Sequence, residues 1–171
     1  AVSDRYAYVA VWAVIPCYLH GIDVSVPSEP VELSSMNTYC AGAIAVEGNY
    51  LYTVFSGGGL GVIDVTDPSA PVEVGSVALP YEFPQDVAVS SGYAYVADGS
   101  AGLRVIDVRE PTAPVEVGFF DTEGGAVSVS VSDGYVYLAV PYGGLMIFRE
   151  CSVFLDGFES GDASAWSAMV P

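Results

Sequence analysis

Few side chains in this sequence have the capacity for chemistry, and their spacing is informative. Asp23, Asp64 and Asp107 recur at matched points, and two further carboxylates, Asp86 and Asp98, stand close together in the chain. Clustered carboxylates are what Ca²⁺ takes, and a carboxylate pair can hydrolyse glycosides. Yet the three recurrent aspartates each run into a proline-containing turn, where bonding to nearby backbone is their ordinary role. No EF-hand loop occurs. The segment from Asp156 to Asp162 is acidic and contains glycine but lacks that spacing, so no metal site is assigned and calcium there has only charge behind it. His20 is the only histidine, in a slot filled by Gly61, Arg104 and Met146 at the matching points. A slot so varied suits packing or solvent rather than a catalytic base. Ser56–Gly57–Gly58–Gly59 has no helix after it, so it reads as neither a nucleophile elbow nor a phosphate loop. No catalytic residues are assigned.

The elements that must position these groups are legible from composition and repetition. Of the 171 residues, 52% are hydrophobic and 15% charged, which favours a packed core over disorder. Four Arg, no Lys and 21 acidic residues give a net charge of −17. Such a surface repels phosphate backbones and anionic lipid, which argues against nucleic acid and membrane surfaces as partners. The longest apolar stretch, Ala7 to Leu19, carries Pro16 and falls short of the roughly 20 residues a membrane span needs.

Three motifs repeat in register. Tyr93–Ala94–Tyr95–Val96–Ala97 is echoed by Tyr6–Ala7–Tyr8–Val9–Ala10, Tyr50–Leu51–Tyr52–Thr53–Val54 and Tyr135–Val136–Tyr137–Leu138–Ala139, with leading tyrosines 44, 43 and 42 residues apart. Gly59–Leu60–Gly61–Val62–Ile63–Asp64–Val65 matches Gly102–Leu103–Arg104–Val105–Ile106–Asp107–Val108. Asp67–Pro68–Ser69–Ala70–Pro71–Val72–Glu73–Val74–Gly75 matches Glu110–Pro111–Thr112–Ala113–Pro114–Val115–Glu116–Val117–Gly118. Each unit reads as four short strands rich in Val, Ile, Tyr and Phe. The first two are joined by two-residue turns at Asp4–Arg5, Gly48–Asn49, Ser91–Gly92 and Asp133–Gly134. Four antiparallel strands at this period make a β-propeller blade. The expected fold is therefore all-β: about four four-stranded blades over residues 1–42, 43–85, 86–126 and 127–150, forming a small propeller or a fragment of a larger one.

Gly-Leu-Arg-Val-Ile-Asp-Val, followed by the Glu-Pro…Ala-Pro-Val-Glu-Val-Gly turn, resembles the LVIVD repeat of exported bacterial propellers. The resemblance covers residues 1 to about 149 and implies an extracellular or cell-surface location without naming a ligand. Residues 151–171 depart from the repeat and resemble a short carboxy-terminal segment of exported bacterial proteins, which would make Pro171 a natural end. Ala1–Val2–Ser3 aligns inside a first strand, which points to blades before it.

In a four-stranded meander the 2–3 and 4–1 connections share one face. That face collects the variable loops, and variable loops on a rigid scaffold are where binding usually lives. Trp12, Tyr39, Tyr81, Phe83 and Tyr142 fall there, with Gln85, Asp86 and Asp98 nearby. Such rings can form a platform for carbohydrate or a protein partner, or can pack between blades. Cys17 and Cys40 fall on the same face, either as a disulfide or as two buried thiols. Cys151 falls near the opposite face without a partner. The functional expectation is a non-catalytic, exported binding scaffold that needs no cofactor. The alternative is an extracellular propeller hydrolase or lyase acting on polysaccharide. Blades left unclosed would expose apolar faces and invite self-association.

Overall fold

The computed structural model describes residues 1–11, 17–38, 40–81 and 83–150. Among them are fifteen strands in four antiparallel sheets, each a meander in chain order. The first blade is β1 (Val2–Ser3), β2 (Tyr6–Val11), β3 (Cys17–Asp23) and β4 (Val31–Thr38). The second is β5 (Ala41–Glu47), β6 (Tyr50–Phe55), β7 (Gly59–Asp64) and β8 (Val72–Ala78). The third is β9 (Asp86–Ser90), β10 (Tyr93–Ala97), β11 (Leu103–Asp107) and β12 (Val115–Phe120). The fourth has three described strands, β13 (Ser128–Ser132), β14 (Tyr135–Val140) and β15 (Gly144–Arg149). Trp12 and Tyr39 lie outside the described residues, as does everything from Cys151 onward.

The hairpin turns divide by backbone geometry. Ser91–Gly92 and Asp133–Gly134 have positive φ at both positions, as a type I′ turn requires. Asp4 and Gly48 are the positive-φ residues of the first two turns, whose second positions, Arg5 and Asn49, are not. Both arrangements match the right-handed strand twist, so each tyrosine pair enters its strand in the same register.

Register decides which side chains face which neighbour. In the third blade Tyr95 pairs with Val105 and Ala97 with Leu103, and these four sit in one cluster with Val129, Val136, Leu138, Val140 and Phe148 of the fourth. The alternate residues Ala94, Val96 and Ile106 cluster instead with Tyr52, Val54, Leu60 and Val62 of the second. Tyr8 and Leu19 of the first blade meet Leu51, Ile63 and Val65 in the same way. The paired tyrosines of β2, β6 and β10 therefore serve inter-blade packing, each presenting its second ring (Tyr8, Tyr52, Tyr95) to the next sheet.

Two devices recur at the blade margins. The pairing of strands three and four shifts by one residue at Gly21/Ile22, Val62/Ile63 and Val105/Ile106, so Leu33, Val74 and Val117 are the extra residues of the outermost strands. A bulge there twists the edge and spoils it as a template for a foreign strand. Gly75, next to one of these bulges, lies against the following blade: a Cβ on it would stand 2.2 Å from the Pro111 carbonyl oxygen and 3.0 Å from Pro114 Cδ. The Val-Glu-Val-Gly and Pro…Ala-Pro segments are thus two halves of one junction.

Candidate functional site

On the face made by the 2–3 and 4–1 connections, a cleft of about 440 Å³ opens between the second-to-third and third-to-fourth crossings. Tyr81 and Gln85 form one wall, Gly99 and Ser100 the floor, and Thr122 with Gly124–Val127 the other wall. The floor is fixed by an isolated bridge between Gly99 and Ala126, whose amide donates to the Gly99 carbonyl at 2.8 Å. Gly99 has φ +53°, and a Cβ there would meet the Tyr81 ring at 2.4 Å, so glycine lets the ring approach the floor closely. Tyr81 and Phe83 meet edge to face at 6.2 Å. Phe83 is 51% exposed and Tyr142 is 94% exposed, with Tyr142 beside Gly124 at the cleft's far rim. Gln85 closes the wall: its amide nitrogen donates to the Ala97 carbonyl at 2.8 Å and its side-chain amide to the Phe83 carbonyl. Of the four, Tyr81 and Gln85 line the opening, while Phe83 packs on Tyr81 and Tyr142 stands beside Gly124.

The two carboxylates have different positions. Asp86 Oδ2 accepts from Ser128 Oγ at 2.7 Å and from the Val129 amide at 3.0 Å, so it ties the first strand of the third blade to that of the fourth. Asp98 is fully buried. Its Oδ2 accepts from the Tyr81 amide at 3.2 Å, while Oδ1 has no hydrogen-bond partner. Burial pushes its pKa up to about 6, against the opposing pull of that amide and of Arg104. Asp98 therefore holds down the loop that carries Tyr81 and Phe83. Thr122 Oγ1, beside the same cleft, is also buried without a partner.

The same face carries a disulfide between Cys17, at the start of β3, and Cys40, in the crossing to β5. It fastens the first blade's 2–3 connection to the crossing that leads into the second.

The opposite face is occupied by its own turns. Asp23, Asp64 and Asp107 each accept from the amide two residues on, those of Ser25, Thr66 and Arg109, at 2.8, 2.8 and 3.0 Å. Hydrogen bonds from the Ser25, Thr66 and Arg109 side chains first, and from these amides next, hold all three carboxyls below the usual range. A second cleft of about 440 Å³ lies here, lined by Asp107, Arg109, Glu110, Ala113 and Val115. Its polar groups are engaged within the turn: Arg109 pairs with Asp107, and Thr112 Oγ1 donates to Glu110 at 2.7 Å. His20 Nδ1 lies 3.1 Å from Glu32 on the neighbouring strand and lines neither cleft. Among the described residues no three His, Cys, Asp or Glu side chains are grouped so as to hold a metal ion. Nor, among them, is any helix long and apolar enough to cross a membrane.

The repeat that builds both faces is shared with known proteins. The LVIVD repeat matches at residues 1–38, 40–78, 84–122 and 123–148. This chain belongs to the LVIVD repeat family. No curated protein matches its sequence. Among solved structures, this LVIVD chain is similar to BamB from Moraxella catarrhalis, with a TM-score of 0.71 and 12% identity over 87% of its own length and 41% of BamB's. It is also similar to the computationally designed Ika4 protein, with a TM-score of 0.68 and 13% identity over 86% of this chain and 87% of Ika4. At such identities the likeness establishes the β-propeller fold. The LVIVD chain spans about two-fifths of the length of BamB.

Proposed function

We propose that this LVIVD chain is a non-catalytic, exported binding scaffold that engages a protein or carbohydrate at the cell exterior through its 2–3/4–1 loop face. A propeller of repeats supports a binding role in general terms. The observation that carries the finer reading is the cleft lined by Tyr81, Gln85 and glycine-rich backbone, with exposed Phe83 beside Tyr81 and exposed Tyr142 beside Gly124. Exposed rings stack on apolar sugar or peptide faces, and the backbone and side-chain amides beside them supply hydrogen bonds. The disulfide supports an oxidising location, and the net charge of −17 suits a neutral or basic partner over an anionic one. A polysaccharide-cleaving reading would require Asp98 to reach a substrate, since a general acid works within hydrogen-bond distance. Its carboxyl is instead buried and bonded to the Tyr81 amide.

The test is retention on the immobilised protein of a panel of neutral oligosaccharides and of uncharged and basic peptides. The double variant Phe83→Ala/Tyr142→Ala should lose retention at least tenfold while melting at the parent temperature. Undiminished retention by that variant would place the binding surface elsewhere.

A further inference from the structure

The chain carries 21 acidic residues and a net charge of −17, yet none of the described residues lining the cleft beside Tyr81 is an Asp, Glu, Arg or His. Other openings differ. The turn-face cleft is lined by Asp107, Arg109 and Glu110, and a smaller one of about 130 Å³ between the first two blades includes Asp4. Asp86 and Asp98, near the uncharged cleft in sequence, are engaged in structural bonds, the first with Ser128 and Val129 and the second with the Tyr81 amide. Glu82 lies outside the described residues.

What the lining offers is uncharged hydrogen bonding. Among the described residues, the amides of Ser100, Gly124 and Gly125 donate to no backbone carbonyl. The Gln85 side chain donates through its nitrogen to the Phe83 carbonyl, which leaves its oxygen as an acceptor. The Tyr81 and Ser100 hydroxyls can both donate and accept. Exposed rings stand beside these groups, Phe83 packed on Tyr81 at 6.2 Å and Tyr142 next to Gly124. Neutral donors and acceptors near exposed rings suit a molecule that has many hydroxyls and apolar ring faces. Removing water from such a lining costs far less than removing it from carboxylates.

We propose, building on the binding role argued above, that the ligand of this cleft is a neutral carbohydrate chain, with sugar faces against the neighbouring rings and hydroxyls bonded by backbone amides and Gln85. An anionic polysaccharide meets the repulsion of the whole chain. A basic peptide finds no carboxylate among the described lining residues. An extended peptide needs a free strand edge or pockets for its side chains. The nearest backbone pair, Gly99 and Ala126, is already bridged, and Gly99, Ser100, Gly124 and Gly125 form no apolar well. Every lining residue falls between Tyr81 and Val127, so the site is built at two crossings inside the chain and not at either of its ends.

The experiment measures binding of the full chain to neutral oligosaccharides from cellulose, mannan, xylan and chitin, beside acidic oligosaccharides from pectin and uncharged and basic peptides. At least one neutral oligosaccharide should bind. Its affinity should change by less than about twofold between about 0.05 and 0.5 M salt, because no charge pair is there to be screened. Ser100→Leu puts an apolar side chain on the floor and Gln85→Leu removes the acceptor, and each should weaken binding by about tenfold or more. Val115→Thr, in the turn-face cleft, should leave the affinity unchanged. Circular dichroism shows which variants are folded, and either substitution suffices if the other unfolds. Binding of a peptide in place of every neutral sugar, lost in Phe83→Ala/Tyr142→Ala, overturns the carbohydrate assignment and leaves the binding face standing. A preference for the acidic oligosaccharides, or an affinity that falls steeply with salt, does the same. A neutral sugar indifferent to Ser100→Leu and Gln85→Leu overturns the cleft as its seat, and if Phe83→Ala/Tyr142→Ala also leaves it bound, the binding face falls as well. No binding of any probe overturns both.

Discussion

The two loop faces of this propeller use the same residue type in opposite ways. On the face of proline-containing turns, Asp23, Asp64 and Asp107 stand at the surface and accept from the backbone amide two residues on. Their charge is welcome, and their pKa values fall. On the other face Asp98 is buried with one oxygen unpaired, and its pKa rises to about 6. The turns repeat because each satisfies itself. The cleft face varies from blade to blade, and its order comes from long-range ties: the Cys17–Cys40 bridge, Asp98 to Tyr81, and the close approach of Tyr81 to Gly99. Self-satisfied turns leave little for a ligand to gain, whereas a face held from beneath can leave its rings free.

The contrast can be broken most strongly at the disulfide. Replacing Cys17 and Cys40 by Ser releases a loop with a sequence separation of 23, for which chain entropy predicts a loss of about 3 kcal/mol. Denaturant unfolding should show it, and reduction of the parent should reproduce the effect. Asp98→Asn should act in the other direction. The folded carboxyl holds its proton to about pH 6, while the unfolded one releases it near 3.8, so the folded state binds more protons in that window and stability falls as pH rises through it. Asparagine keeps an acceptor for the Tyr81 amide without the buried charge. It should raise stability at pH 7 by about 2–3 kcal/mol, at about 1.4 kcal/mol per pKa unit, and flatten the slope between pH 4 and 6. An unchanged slope would show that Asp98 is solvated in solution. The smallest effect belongs to the turn face. Asp64→Ala should lower the melting temperature slightly, and its deficit against the parent should shrink as pH falls below 3.8, because a lowered pKa stabilises only where the group is ionised.

The blade and its turns were legible in the sequence because they rest on local patterns. Alternating Tyr and Val, a Gly or Asp at each tight turn, and the Asp before each proline turn need no distant partner. The bulge in the outermost strand was written three times as Glu-Leu-Ser, Glu-Val-Gly and Glu-Val-Gly, yet a one-residue shift leaves no mark until two strands are paired. The two carboxylates near the cleft show where reading by proximity stops. Asp86 finds its partners 42 and 43 residues further along, at Ser128 and Val129. Asp98 is fully buried and takes the amide of Tyr81, 17 residues earlier, a pairing that no local residue pattern announces.

The close fit of Gly75 against the Pro111 turn bears on how such a chain can lengthen or shorten. The glycine comes from one repeat and the turn from the next, so a junction is complete only across a boundary. A duplication of the whole second period carries this glycine and a turn and leaves its boundary matched, whereas the first repeat has Ser34 at the matching point. A deletion of part of that period would set a side chain against the Pro111 carbonyl, or leave Gly75 facing no turn. Growth by whole periods is therefore the route along which the number of repeats can drift without a rebuilt interior.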